Sequence, residues 1–277
     1  MRLALLSPVH GQSIDHIARQ LENYRTFLAP CELRHYLHIS QDSSPTLGDE
    51  LLAFAEREQH SIVLTRRSRP TWRPCTAYAL SELIKAVLAD ALASDAVLIH
   101  TDTDLLFSRA TTARLKNHRI GCGDKPFRGT NGRWKWTTKA TADPRIQRLV
   151  KELLDGDPSA LRIGRVCGAY MPWSVFKTFG VIYNHYFDNN YLERHPKRHW
   201  PVTEIAIPTI LRYLEGPDCA FQPPLIKAPK NKKVSQAMIK RSLRREDCFG
   251  FKKIARASNL DALEYLQTLQ QEAKNDN

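Results

Sequence analysis

The sequence predicts an α/β fold, a mostly parallel sheet flanked by helices in a Rossmann-like layout, followed by a basic C-terminal extension. Short apolar runs rich in branched residues alternate with helical patterns through the N-terminal half. That β-α-β-α-β order needs crossover helices, and hence parallel strands. The 277 residues, 42% of them hydrophobic, suffice for one large domain with an appendage. Positive charge gathers late in the chain, which divides it into residues 1–225, carrying the sheet, and a basic extension, 226–277, expected to pack on it.

Leu3 to Leu6 reads as the first buried strand and runs into Ser7-Pro8-Val9-His10-Gly11. Ser13 caps a helix whose apolar positions, Ile14, Ile17, Ala18, Leu21, Tyr24 and Leu28, recur at helical spacing. Leu33 to Ile39 is a second strand, residues 46–59 a second helix, and Ser61 to Thr65 a third strand. A basic loop follows, Arg66 to Arg73, with Trp72 inside it. Thr76 then caps a long helix bearing Leu80, Leu83, Ile84, Val87, Leu88 and Leu92. Ala96 to Ile99 is a short central strand, apolar throughout and preceded by the helix-ending Ser94-Asp95.

Segment 121–142 breaks the pattern. Gly121, Gly123, Gly129 and Gly132 punctuate it around Arg133-Trp-Lys-Trp136, as in a long functional loop. A helix over 144–155 leads to a strand around Arg165 to Met171. Two aromatic-rich helices are expected next, Trp173 to Phe179 and Val181 to Leu192, with most of their rings in the core. Leu260, Leu263, Leu266 and Leu269 mark a last helix that packs back on the body.

A formal net charge of +12, from 41 Lys and Arg against 29 Asp and Glu, points to anionic partners. Within 227–256 there are eleven basic residues against Glu246 and Asp247 alone. Six cysteines form no C-x-x-C pair, which argues against a zinc signature or a disulfide framework and fits a cytoplasmic protein. The first apolar run is too short for a signal peptide, and no stretch is long enough to span a bilayer.

The chemistry concentrates where the central strand ends. Asp102 and Asp104, one residue apart, share a face if the chain stays extended. Two such carboxylates repel unless a cation, a basic side chain or a proton relieves them. The alternative is an Asx-rich turn that merely caps the next helix. Concentrated positive charge fits a diphosphate, neutralised by a divalent cation on Asp102 and Asp104, by Lys and Arg of the basic run, or by both. Glu204 is the second candidate. Thr203 as N-cap sets it in the first turn of a helix, where it stays ionised and accepts a proton from a hydroxyl.

This layout resembles the GT-A type of glycosyltransferase, in which an Asp-x-Asp pair at a strand end binds the nucleotide-sugar. More narrowly it is similar to the core-2/I-branching N-acetylglucosaminyltransferase family and its bacterial relatives. Thr203-Glu-Ile-Ala-Ile-Pro-Thr-Ile-Leu211 resembles that family's Asp-Glu-x-x-Trp-Ala-Thr-Leu block, which implies Glu204 as catalytic base and matches Thr209 to its Thr. Arg66 to Trp72 resembles its Arg-rich approach to the central strand. Gly168-Ala-Tyr-Met-Pro-Trp173 resembles the strand before its acceptor-site helix. The chain departs from the family in carrying Thr101-Asp-Thr-Asp104 where Ser-Gly-x-Asp is usual, and Ile207-Pro208 for Trp-Ala. The extra Asp102 favours a metal, manganese or magnesium; the basic run favours the metal-independent arrangement.

The expected activity is an inverting transfer from a nucleotide-sugar to a carbohydrate or lipid-linked glycan acceptor. His10, Arg66, Arg69, Asp102, Asp104, Arg241 and Arg245 are expected on the donor, and Trp134, Trp136, Tyr170 and Trp173 on the acceptor. Peripheral contact with an anionic membrane would use the rest of the basic segment. The rivals are a nucleic-acid-binding protein using 227–256 and a metal-dependent phosphodiesterase on Asp102 and Asp104. The lack of a nucleic-acid motif and of a His/Asp metal cluster argues against them.

Overall fold

The computed structural model describes residues 1–71, 75–90, 92–117, 119–129, 134–195, 199–229, 233–246, 248–254 and 259–275. Its centre is a five-stranded sheet of β1 (Arg2–Val9), β2 (Glu32–Ile39), β3 (Ser61–Leu64), β4 (Ala96–Ile99) and β8 (Ala169–Pro172), in the order β3-β2-β1-β4-β8. The first four run parallel and β8 is antiparallel to β4. The mostly parallel sheet read from the sequence is therefore present.

Alternation along β1 sends Ala4 and Leu6 to one face of the sheet, and Leu3 and Leu5 to the other. Both faces are buried along β1 and β4, which is why these two strands read as apolar runs. The first face packs under α3 (Ala77–Ala89), α7 (Trp173–Phe187) and α9 (Thr203–Glu215). The second packs under α1 (Ile14–Phe27) and α11 (Leu260–Asn275), together with a small sheet of β5 (Asp104–Leu106), β10 (Gly250–Lys252) and β9 (Ile226–Lys227). Residues beyond 225 thus share a core with the first strand. On the β3 side, α2 (Leu47–Arg57) completes the layer.

Several local expectations change. The aromatic helix is continuous through Gly180, whose missing side chain lets α7 close on α3: a Cβ there would lie 2.8 Å from Ile84. A short helix, α8 (Asn189–Arg194), follows it. After α4 (Ala110–Lys116), the described parts of segment 121–142 carry two short elements, β6 (Lys125–Pro126) and α5 (Thr137–Thr141). β6 pairs with β7 (Arg162–Ile163), which follows α6 (Pro144–Leu153). Ser13 caps α1 as expected, accepting from the His16 N–H. Thr203 does not cap α9; Val202 holds that position with no side-chain bond, and Thr203 is buried as the first helical residue.

Gly168 is the tightest joint between the two sheets. Its φ of +75° is one that side chains rarely adopt, and a Cβ there would sit 2.4 Å from the Ile226 nitrogen. Gly168→Ala is expected to cost about 1–3 kcal/mol through overpacking and strain, read by urea denaturation. A loss within measurement error would show that β9 can move away.

Candidate active site

The strand order reverses between β1 and β4, and their C-terminal ends form the crevice in which open α/β sheets bind ligands. A cavity of about 280 Å³ opens there. Pro8 and His10 line it after β1, Thr71 and Thr76 before α3, and Thr101 to Thr103 after β4. Pro201 and Glu204 come from the start of α9, and Lys252 and Lys253 from the end of β10.

The two aspartates part company here. The chain turns at Asp102 and Thr103 instead of staying extended, so alternation no longer sets both carboxylates on one face. Asp104 is fully buried; its Oδ2 accepts from the Thr101 N–H at 2.8 Å and its Oδ1 from the Thr101 hydroxyl at 2.9 Å. It closes the turn and does not line the cavity. Asp102 does line it, with Oδ2 accepting from the His10 N–H at 2.9 Å. Burial raises the Asp102 pKa above its ordinary value, against the pull of that N–H and of Lys252. His10 Nδ1 is buried beside it with no protein partner.

One face of α1 holds this turn in place. His16 Nε2 donates to the Asp102 carbonyl at 2.6 Å, and Gln20 to the carbonyls of Thr101 and Asp104 at 2.8 and 2.7 Å. Asn23 exchanges hydrogen bonds with Leu106 at 2.9 and 2.8 Å. Sequence reasoning missed these three, because it followed only the apolar stripe. The available signal was a polar set at i, i+4 and i+7 running beside it.

Glu204 owes its position to Pro208. A proline at that helix position has no N–H to give the carbonyl four residues back, that of Glu204. The Gly164 N–H takes it instead, at 2.8 Å. One turn on, Thr209 Oγ1 accepts from the Arg162 N–H at 2.9 Å, so β7 is pinned along the helix start. Trp134 lies beside the Glu204 side chain. Its pKa is raised by burial, opposed by Arg165, Trp134, Lys252 and Lys135.

Lys252 completes the cavity. It stands opposite Asp104 in the β5–β10 ladder and donates to Thr101 Oγ1 at 2.9 Å and to Cys167 Sγ at 3.2 Å. Burial works against its charge, but Cys167, Asp104 and Asp102 outweigh it and hold the ammonium above the ordinary lysine range. Burial also raises the Cys167 pKa, so at neutral pH the thiol is uncharged and the opposing charge comes from the aspartates. Lys252 and Lys253 stood unresolved within the basic run; only the pairing of β10 with β5 singles them out.

Of the expected site residues, His10, Asp102 and Glu204 meet in this cavity, with Trp134 behind Glu204. The others lie elsewhere. Arg66 lines a separate groove beside β3, with Arg34, Arg67 and Lys85. Arg69 pairs with Glu193, and its N–H donates to His38. Arg241 and Arg245 are exposed on α10 (Gln236–Arg245). Trp136 is covered by the ammonium groups of Lys135 and Lys139, 4.9 and 5.1 Å from its ring centre. Tyr170 is buried in the core, its hydroxyl donating to Gln222 at 3.2 Å. Trp173 leaves the sheet at the end opposite Asp102, because antiparallel β8 sets Pro172 beside Ala96; it stacks on Phe176. Trp72, Arg73, Arg133, Lys230, Lys232 and Arg256 lie outside the described residues.

Among the described residues no helix is long and apolar enough to cross a membrane. No protein-family profile matches the chain, and no curated protein sequence matches it. Among solved structures it is similar to the galactosyltransferase LgtC in complex with donor and acceptor sugar analogs. That alignment has 11% identity and a TM-score of 0.52, covering 98% of this chain and 96% of the other. An active-site mutant of LgtC aligns over the same shares at 11% identity and a TM-score of 0.49. TarS of S. aureus aligns at 9% identity and 0.41, over 97% of this chain and 39% of its own. The fold assignment rests on the first alignment alone: the chain has the mostly parallel α/β fold of LgtC, of the GT-A type.

Proposed function

We infer that the protein is an inverting glycosyltransferase acting on a nucleotide-sugar. One observation carries the reading: Asp102, Glu204 and Lys252, from three distant stretches of chain, line a single cavity at the sheet's switch point. In this reading Glu204 takes the proton from an acceptor hydroxyl as that oxygen attacks the anomeric carbon. The carbon–oxygen bond to the diphosphate breaks on the opposite face, and Lys252 and Lys253 neutralise the departing charge. Asp102, oriented by His10, accepts from a donor hydroxyl. The exposed Arg241 and Arg245 belong in this reading to a surface facing an anionic membrane or a lipid-linked acceptor.

The donor set does not fit the cation expected between Asp102 and Asp104. Asp104 is fully buried with both oxygens accepting from Thr101, one Asp102 oxygen accepts from His10, and the Lys252 ammonium already supplies positive charge at the same turn. Among the described residues no three His, Cys, Asp or Glu side chains converge on one point. No step is therefore routed through a metal.

The test is a thermal-shift screen of nucleoside diphosphates and nucleotide-sugars. A ligand at a hundred times its Kd stabilises by about 2.7 kcal/mol. Binding is expected to persist in a chelator, and Lys252→Met to weaken it about tenfold to a hundredfold, the range for a lost charge-assisted hydrogen bond. No stabilisation by any of these ligands, together with no hydrolysis or transfer, would remove the reading. Tight salt-dependent binding of random DNA in their place would favour the nucleic-acid rival.

A further inference from the structure

A second cavity, of about 340 Å³, adjoins Glu204 through residues of its wall. Trp134 is in that wall and lies close enough to the Glu204 side chain to hold its pKa down. Ile163, also in the wall, precedes the Gly164 whose N–H holds the Glu204 carbonyl. Glu204 itself lines the first cavity, so Trp134 and Ile163 form the partition between the two.

The lining has two kinds of chemistry. Phe127 and Trp134 meet edge to face with centroids 6.2 Å apart, offering aromatic surface to the C–H face of a sugar ring. Lys125 and Arg128 are exposed beside them, and neither pairs with a carboxylate of the described residues. The neighbouring acid, Asp124, is already committed to Arg162 and Arg212. In the first cavity Lys252 and Lys253 share the lining with Asp102 and Glu204; in the second, the charged side chains among the described residues of the wall are both cations.

We propose that this second cavity binds the acceptor, and that the acceptor is a saccharide carrying an anionic group, phosphate or carboxylate. The proposal rests on the transferase reading of Glu204. The aromatic pair takes one ring and Lys125 and Arg128 take the anion, next to the cavity in which Glu204 receives a hydroxyl of the same saccharide.

Titration of the full chain by tryptophan fluorescence, with no donor present, tests this using glucose, glucose 6-phosphate, glucuronate and inorganic phosphate. At least one of the two anionic sugars is expected to bind about tenfold tighter than glucose, the scale of two solvent-accessible ion pairs. Whichever of them binds tighter identifies the anion. Replacing both cations, Lys125→Gln with Arg128→Gln, should bring the anionic sugars down to the level of glucose. Equal binding of glucose and both anionic sugars would overturn the proposal. So would a preference that survives the double substitution, or inorganic phosphate binding as tightly as glucose 6-phosphate. Because no donor is present, this failure is separable from failure of the transferase reading, which nucleotide-sugar turnover reports.

Discussion

Glu204→Gln is expected to lower turnover of a nucleotide-sugar by about 10²–10⁴-fold while donor affinity stays near that of the parent, the usual cost of removing a positioned general base. Gln keeps the shape, so only the proton acceptor is lost. Burial places the Glu204 pKa above the ordinary 4.5, so the acid limb of kcat/KM should fall above that value. The stability effect has the opposite sign to the activity effect. A carboxyl whose folded pKa is raised stabilises the protein fully below its unfolded pKa, and that contribution is lost as pH rises through the folded pKa. At pH 7 the ionised Glu204 is therefore a cost. The Gln variant should melt higher than the parent there, and the difference should close in acid. An inverting mechanism further requires that an α-linked donor give a β-glycoside. Near-normal turnover of Glu204→Gln would remove the base assignment, and an NMR spectrum of the product with retained configuration would remove inversion.

The largest stability effect should come from Asp143. Its carboxylate is buried and accepts from Arg145 Nη2 at 2.8 Å, Arg145 Nε at 3.0 Å, the Arg145 N–H at 2.9 Å and Trp200 Nε1 at 2.7 Å. Arg145 is equally buried, its guanidinium 4.5 Å from the Tyr191 ring centre. Asp143→Ala strands that guanidinium without a partner, an error worth about 3–5 kcal/mol. Burial raises the Asp143 pKa, but Arg145 and Trp200 outweigh it and hold the carboxyl below its ordinary value. Its contribution is thus present above the unfolded pKa and lost as pH falls through the folded one, so parent and variant should converge in strong acid. Turnover should suffer as well, since Trp200 packs on Trp134 at 6.0 Å and precedes Glu204 in the same short stretch. Removing both partners with Arg145→Met should recover part of the stability. A loss below about 1 kcal/mol in urea denaturation would mean that water replaces the network.

What was legible in the sequence was local. β1 and β4 announce themselves because strands buried on both faces must be largely apolar, whatever packs on them. Ser13 capping α1 and Glu204 in the first turn of α9 depend on bonds within a few residues, and both are in place. The acidic pair was legible as a feature but not as a geometry. Alternation holds only while the chain stays extended, and the turn at Asp102 and Thr103 gives Asp104 to Thr101 and Asp102 to the cavity.

Tertiary structure alone decided the rest. Trp173 was misplaced because the direction of β8 follows from how its loop returns, which apolar pattern does not encode. Lys252 could not be told from its basic neighbours until β10 paired with β5 and set it against Thr101, far away in the sequence. The Glu204 carbonyl found Gly164 only because Pro208 left it open and β7 ran past it. Propensity and capping are energies between near neighbours, so the sequence determined the strands, the helix starts and the candidate acids. Which of those acids faces ligand, and which lysine answers it, depends on contacts between segments far apart in the chain, and only the assembled sheet edge brings these together.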